Sequence, residues 1–127
     1  MGATVLDSGA LIALERNQRA MWTVLKRAAI LSEDVLVPST VLAQVWRNTP
    51  TQARLAAALQ FCVIASFDAV AREVGVLCGR TRSSDICDAH VAIVAHEHGD
   101  VLYTSDPNDL RKLVVAIPGR RPKILRC

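Results

Sequence analysis

The sequence has few aromatic residues and no clustered cysteines. Phe, Trp and Tyr make up only 4% of the chain, so a core has to be built from aliphatic side chains. The cysteines fall in no CxxC pair; they are Cys62, Cys78, Cys87 and Cys127. Disulfide-stapled secreted domains are denser in cysteine, and structural zinc sites need short ligand spacings. We therefore expect reduced, mostly buried thiols and neither a disulfide framework nor a zinc site.

Long apolar runs and targeting signals are missing as well. No apolar run approaches the roughly 18–20 residues that a membrane-spanning helix requires. No basic region precedes an apolar stretch at the N-terminus, and Asp7 interrupts the first apolar run early. We therefore expect a cytoplasmic protein without a membrane segment or a signal peptide.

The composition is that of a globular chain with a mild positive charge. Hydrophobic residues make up 51% and charged residues 21% of 127 residues, which predicts one domain over residues 1–127. The net charge is only +3, but the last ten residues, "PGRRPKILRC", carry four bases and no acid. Such a tail can follow the phosphates of a nucleic acid, and it can equally be a solvated surface segment.

Short apolar runs alternate with helical segments along the chain. The runs "ATVL", "VLVP", "CVIAS" and "DVLYTSD" are typical of buried strands, and "VVAI" and "KILR" are candidates for two last strands. This alternation predicts an α/β fold with a mostly parallel sheet of four to five strands, covered by helices on both faces. In such folds ligands collect at the carboxyl ends of the strands.

Polar residues follow two of the predicted strands at the point where each strand ends. Asp7 comes directly after "ATVL", and Thr104, Ser105 and Asp106 follow the apolar residues of "VLYTSDPNDL", with Asp109 one turn further on. Because the carboxyl ends of parallel strands meet at one edge of a sheet, we expect Asp7 and Asp106 to lie on the same edge.

A third acid lies in a helix that is apolar nearly all round. Asp85 and Asp88 are one turn apart at the start of "SDICDAHVAIVAHEHG", where capping and a salt bridge are the ordinary explanations. Several carboxylates close together stay ionised only around a cation, and Mg²⁺ and Mn²⁺ prefer oxygen ligands. Asp7, Asp88 and Asp106 therefore indicate a Mg²⁺ or Mn²⁺ site for phosphodiester chemistry.

Other constellations are less well supported. His90 points about 160° away from Asp88 around the helix, and His96 lies roughly 12 Å further along it, so neither is expected to share a metal. Neither a nucleophile elbow nor a phosphate-binding glycine loop is present. A phosphoacceptor receiver domain has a similar size, but it requires adjacent acids after the first strand, where this chain has Asp7 followed by Ser8.

Four segments in order, "VLDSGALIALE", "VPSTVLAQVWR", "SSDICDAHVAIVAHEHG" and "VLYTSDPNDLRKL", resemble the PIN domain, and within it the VapC-type toxins of bacterial toxin–antitoxin pairs. The resemblance implies a three-layer α/β/α sandwich and a Mg²⁺- or Mn²⁺-dependent endoribonuclease. It also implies a homodimer that a VapB-type antitoxin neutralises. Asp7, Asp88 and Asp106 match the family's acids, and Asp109 matches a frequent additional acid. The polar residues expected beside the metal are Ser8, Asp85, Thr104 and Ser105.

One position departs from the family pattern. Gln44 stands where the family has a glutamate, and helical geometry places it on a polar face with Thr40 and Arg47. An amide can coordinate a metal through its carbonyl oxygen but cannot act as a base. Gln44 is therefore included among the catalytic candidates, and a catalytically weakened module that binds RNA or antitoxin is the alternative function. The candidates for holding RNA phosphates are Arg47, Arg120, Arg121 and Lys123.

Overall fold

The computed structural model describes residues 2–127, which fold into one five-stranded sheet flanked by helices. The strands, numbered β1 to β5, are Ala3–Leu6, Asp34–Pro38, Val63–Ala65, Val101–Thr104 and Lys123–Arg126. The helices, numbered α1 to α7, are Ser8–Glu15, Arg19–Ile30, Ser39–Val45, Ala53–Leu59, Ala71–Thr81, Ile86–His98 and Pro107–Val115. Short 3₁₀ turns at Pro50–Gln52 and Asp68–Val70 lead into α4 and α5.

All strand pairs are parallel, and the strand order is β3-β2-β1-β4-β5. The chain therefore moves outward from β1 in one direction and then returns to β1's other side to continue with β4. Crevices at such reversals of strand order, beyond the carboxyl ends of the strands, are where open α/β sheets bind ligands. In this chain the reversal lies between β1 and β4. Receiver domains have the order 2-1-3-4-5, so the receiver alternative is excluded.

The core is aliphatic, as the shortage of aromatic residues predicts. The helix α6 packs against α5, α7 and β1, and its residues 89–95 are all buried. This explains why α6 is apolar on every side: it has protein neighbours around most of its circumference. Val5, Leu6 and Leu102 are fully buried on the central strands β1 and β4. The rigid centre of the molecule thus lies directly beneath the carboxyl ends of these two strands.

The predicted α/β class and parallel sheet are confirmed, while one local prediction is wrong. The segment "VVAI" is not a strand, because Val114 and Val115 complete α7. Gly99, which ends α6, has an extended backbone (φ −92°), and a Cβ there would lie 2.8 Å from Val5 Cγ2. The four cysteines are free and partly buried, as expected of reduced thiols. The segment "KILR" does form a strand, β5.

Candidate functional site

Asp7 is a buried carboxylate at the junction of β1 and α1. Its side chain is only 4% exposed and caps α1 by accepting a hydrogen bond from the Gly9 amide at 3.2 Å. Ser8 Oγ donates to the same carboxylate at 2.9 Å, and Thr104 Oγ1 donates to its other oxygen. The amino end of a helix favours negative charge. Asp7 is therefore held in a fixed orientation as a hydrogen-bond acceptor at the ends of two neighbouring strands.

The tip of β4 is tied to Asp7 by the "TSD" residues. Thr104 is fully buried, and its hydroxyl oxygen accepts from the Asp106 amide at 2.9 Å while donating to Asp7. Ser105 packs so closely against Gly9 that a Cβ on that glycine would lie 3.0 Å from the Ser105 backbone nitrogen. The glycine in "DSGAL" is therefore needed for the approach of β4 to α1, a role that the sequence alone did not reveal.

Asp85 and Asp88 join the same edge from the start of α6. Asp85 caps α6 by accepting from the Asp88 amide at 2.9 Å. Partial burial, together with repulsion from Asp85, Asp7 and Asp109, raises the pKa of Asp88 to about 7 from its ordinary 3.8. The ordinary capping role is thus present for Asp85. Asp88, in contrast, is a half-buried acid surrounded by other acids.

Asp106 and Asp109 complete this group at the start of α7. Both are exposed, and a hydrogen bond with the Asp106 carboxyl, together with repulsion from it, raises the pKa of Asp109. We call the five acids of the sheet's carboxyl-terminal edge the acidic cluster: Asp7, Asp85, Asp88, Asp106 and Asp109.

No member of the acidic cluster forms an ion pair within the described residues, although the nearby charge of Lys112 partly offsets the rise in the pKa of Asp109. The ion pairs between residues 2 and 127 are Glu97–His98 and Asp100–Arg120, and neither includes a member of the cluster. The same residues contain no group of three or more His, Cys, Asp or Glu side chains positioned to hold a metal ion. The acids are therefore close enough to repel one another but not arranged as a finished coordination sphere.

Gln44 lies beside this edge rather than inside the acidic cluster. It is exposed, and it lines a cavity of about 490 Å³ together with Ser8, whose hydroxyl holds Asp7. Thr40, which the sequence grouped with Gln44 and Arg47 on one polar face, instead bonds the buried His90 at 2.7 Å. Gln44 thus shares a cavity wall with Ser8, the residue that donates a hydrogen bond to Asp7.

Sequence reasoning missed Gln52, which is only 5% exposed in the wall of the same cavity. Its amide oxygen accepts from the backbone amides of Arg47 and Asn48 at 2.8 and 3.1 Å. Its amide nitrogen donates to the Val45 carbonyl and to Glu15, both at 2.9 Å. Gln52 therefore fixes the loop after α3, and nothing in its local sequence separates it from an exposed glutamine.

The basic candidates are divided between the two edges of the sheet. Arg47 is exposed in the cavity that Gln44 lines. Lys123 pairs in register with Val101 at the amino end of β4, and Arg120 contacts Asp100 just before that strand. Arg120, Arg121 and Lys123 therefore lie at the edge opposite the acidic cluster. Arg126, the last of the four bases in the predicted basic tail, instead pairs with Thr104 at the acidic edge.

The histidines have structural contacts, as the helix geometry predicted for His90. That ring is fully buried, meets Phe67 edge-on at 5.3 Å, and has its pKa lowered by burial. His96 Nδ1 donates to the Arg120 carbonyl at 2.9 Å and so fastens the segment before β5. Neither ring belongs to the acidic cluster.

Comparison with known proteins identifies the fold. No protein-family model matches the sequence, and no curated protein matches it. A chain in the crystal structure of VapBC2 from Rickettsia felis, bound to a DNA fragment from their promoter, superposes with a TM-score of 0.66. The match covers 98% of both chains at 14% sequence identity.

The fold is PIN-like. The predicted resemblance to a component of a toxin–antitoxin complex is thereby confirmed at the level of the fold. In this PIN-like fold the candidate acids stand at the strand-order reversal, around the carboxyl ends of β1 and β4. None of the helices in the described part of the chain is both long and apolar enough to cross a membrane.

Proposed function

We propose that this chain is a metal-dependent endoribonuclease and the toxin of a bacterial toxin–antitoxin pair, of the VapC type. The observation that carries the proposal is the acidic cluster, which lies at the ligand-binding edge of a PIN-like fold without an ion-pair partner among residues 2–127. Repulsion between these carboxylates destabilises the isolated protein. A repulsive cluster of this kind is expected where a cation binds, and the cytoplasm in which we place the protein supplies both the cation and RNA.

The ligand chemistry of the cluster fits Mg²⁺ or Mn²⁺. Every candidate ligand is a carboxylate oxygen, which these hard cations prefer. Burial and repulsion from neighbouring acids together raise the pKa of Asp88, and a bound cation would relieve the repulsion. Asp7, Asp88 and Asp106 would hold the ion, with Asp109 as an additional acid. Asp106 and Asp109 are exposed and can rotate toward the buried, immobile Asp7.

When bound, a divalent ion activates water and stabilises charge on phosphate oxygens. The chain's own residues supply the positioning. Thr104 and Ser8 donate hydroxyl hydrogen bonds that fix the direction of the Asp7 carboxylate. Asp85 caps α6 and so fixes where Asp88 emerges. Ser105 and Asp106 are exposed at the tip of β4, so a long substrate could approach the cluster from this side.

The alternative function is a weakened module that binds RNA or an antitoxin without cleaving efficiently. Gln44 supports it, since this exposed amide stands beside Ser8 where the resembling family has a glutamate. An amide supplies neither a negative charge nor a base. The two functions differ in a measurable way, because only the first predicts phosphodiester cleavage that depends on Asp106.

A VapB-type antitoxin is the expected partner. The similar chain comes from a crystal structure of VapBC2 bound to promoter DNA. A nuclease that cuts cellular RNA needs an inhibitor, and a homodimer is the assembly that the family resemblance implies. Both the antitoxin and the dimer are part of the proposal, and size-exclusion chromatography with light scattering tests the dimer.

The decisive experiment compares the purified chain with its Asp106→Asn variant on labelled RNA. We expect cleavage with Mn²⁺ or Mg²⁺, none with EDTA, and none by the variant. Co-expression with the small protein encoded upstream should suppress cleavage by the native chain. Equal cleavage by the native chain and the variant would contradict the proposal, because it would come from a contaminant or another site. Metal-independent RNA binding without any cleavage would favour the alternative function.

A further inference from the structure

Two cavities flank α1 and share two of its residues. The first, about 490 Å³, includes Ser8, Ile12, Arg16 and Arg47 in its wall. The second, about 560 Å³, includes Gly9, Ile12, Arg16, Ser105 and Cys127. Because Ile12 and Arg16 line both, the two cavities adjoin one another across α1, and we call them together the α1 groove.

The α1 groove passes directly over the residues that hold Asp7. The Ser8 hydroxyl, in the wall of the first cavity, donates to the Asp7 carboxylate, and so does the Gly9 amide, in the wall of the second. Ser105, at the tip of β4, also lines the second cavity. A chain lying in the groove would therefore run beside the acidic cluster.

Two arginines line the α1 groove, and a third lies next to it. Arg47 lies in the first cavity, on the loop that the buried Gln52 fixes through two backbone hydrogen bonds. Arg16 is common to both cavities, about 12 Å along the helix axis from Ser8. Arg126 lies beyond the second cavity, where its Nη1 donates to the Ser105 carbonyl at 2.9 Å. All three are exposed, and none forms an ion pair with another of residues 2–127.

The lining of the groove suits a polyanion better than a protein segment. Beside the arginines it presents amide and hydroxyl side chains: Gln18, Gln44, Thr49 and Thr51. Its large exposed hydrophobic residue is Ile12, and a protein-docking groove would be expected to present several. Glu15 is the acid in the lining, and one of its oxygens already accepts from Gln52.

We propose that Arg16, Arg47 and Arg126 bind successive phosphates of single-stranded RNA in the α1 groove and so position the strand beside the acidic cluster. The positioning of a strand for cleavage depends on the proposed nuclease function, whereas RNA binding by the three arginines does not. Guanidinium groups bind phosphate oxygens through paired N–H donors. Arg120, Arg121 and Lys123, at the opposite edge of the sheet, are assigned no part in this.

The test compares two triple variants with the same change in charge. One removes the groove arginines (R16A/R47A/R126A), and the other removes bases of the opposite edge (R120A/R121A/K123A). Binding of a fluorescein-labelled single-stranded RNA is measured by anisotropy over a range of salt concentrations, in an Asp106→Asn background that prevents cleavage. The groove variant should bind about tenfold or more weakly, and its salt slope should fall by about two, since each phosphate that an arginine neutralises accounts for about 0.7.

Several outcomes would overturn the inference. These are an equal reduction in both triple variants, which would indicate general charge attraction, and a reduction confined to the opposite-edge variant. Unchanged RNA binding by the groove variant, together with its failure to bind a co-purified small partner protein, would assign the groove to that partner. Melting curves check folding, and the R16K/R47K/R126K variant should keep most of the salt slope because it keeps the charges.

Cleavage in the native background separates this inference from the proposed function. With Mn²⁺, the groove variant should raise KM more than it lowers kcat, because it removes substrate binding and leaves the acids intact. If the native chain binds RNA through the three arginines yet never cleaves it, the proposed nuclease function fails while the groove assignment is supported.

Discussion

The two edges of the sheet differ in whether their acidic side chains form ion pairs. At the carboxyl-terminal edge no member of the acidic cluster forms an ion pair within residues 2–127, and partial burial together with repulsion from the neighbouring acids raises the pKa of Asp88 to about 7. At the amino-terminal edge Asp100 pairs with Arg120 at 3.4 Å. Two further bases, Arg121 and Lys123, lie near this pair. The net charge of +3 is a sum over the whole chain and does not show that unpaired acids and paired acids lie at different edges.

The sizes of the cavities do not indicate which edge of the sheet carries the candidate site. A cavity of about 1000 Å³ is lined by Gly2, Ala3, Glu33 and Asp34, at the start of β1 and β2, far from the acidic cluster. The smaller cavities of the α1 groove adjoin the cluster instead. Unbalanced charge at the reversal of strand order is therefore a better guide to the candidate site than volume, because repulsion between acids is retained only at a cost.

The largest expected effect is the difference between two single Asp→Asn variants, one at each edge of the sheet. Asp106→Asn should lower Mn²⁺ affinity about tenfold or more, since 1.4 kcal/mol corresponds to a factor of ten, and should abolish RNA cleavage. Asp100→Asn, the matched control, should leave both unchanged because it removes only an exposed ion pair. Titration calorimetry measures the affinity. Equal Mn²⁺ binding by Asp106→Asn and the native chain would remove the cluster as a metal site.

The antitoxin should bind the unpaired carboxylates of the acidic cluster. The fork of an arginine side chain matches clustered carboxylates, so we expect the antitoxin to insert an arginine near Asp7 and Asp106. Alanine in place of that arginine should restore RNA cleavage in the purified complex, while alanine at its other arginines should not. Full inhibition by every such variant would show that the partner acts away from the acidic cluster.

A negative charge added beside the acidic cluster should increase the difference in metal binding between the two edges. Gln44→Glu adds a carboxylate at almost constant shape, so metal affinity and RNA cleavage should rise, the latter about tenfold. Metal-free stability should fall slightly, and Mn²⁺ should restore it by mass action. Gln60→Glu, the same change at another exposed glutamine, serves as the control. If both variants behave alike, Gln44 lies outside the reach of the metal.

The smallest expected effect is a pH dependence of metal-free stability. The pKa of Asp88 is raised in the folded chain, so between 3.8 and about 7 the folded state binds more protons than the unfolded state. The free energy of unfolding should therefore fall as pH rises through this window, by an amount that solvent screening of this half-exposed group reduces. Asp88→Asn should flatten this part of the profile in thermal melts, and Asp100→Asn should not.

Sequence patterns were sufficient for the elements whose signals are local. The strands at "ATVL", "VLVP" and "DVLYTSD" were predictable because continuous aliphatic runs are what a parallel sheet buries on both faces. Asp7 and Asp106 could be assigned to one edge for the same reason, since each ends such a run. The segment "VVAI" misled because four apolar residues suit a strand and the end of a helix equally well.

The sequence by itself determined the α/β class, the parallel sheet and the edge at which Asp7 and Asp106 meet, because periodicity and strand ends are encoded locally. Only the tertiary structure decided the strand order, the contact between Gly9 and Ser105, the clamp made by Gln52 and the separation of Arg126 from the other bases of the tail. Each of these depends on which distant segments become neighbours. That is set by packing around β1 and β4, and no local pattern records it.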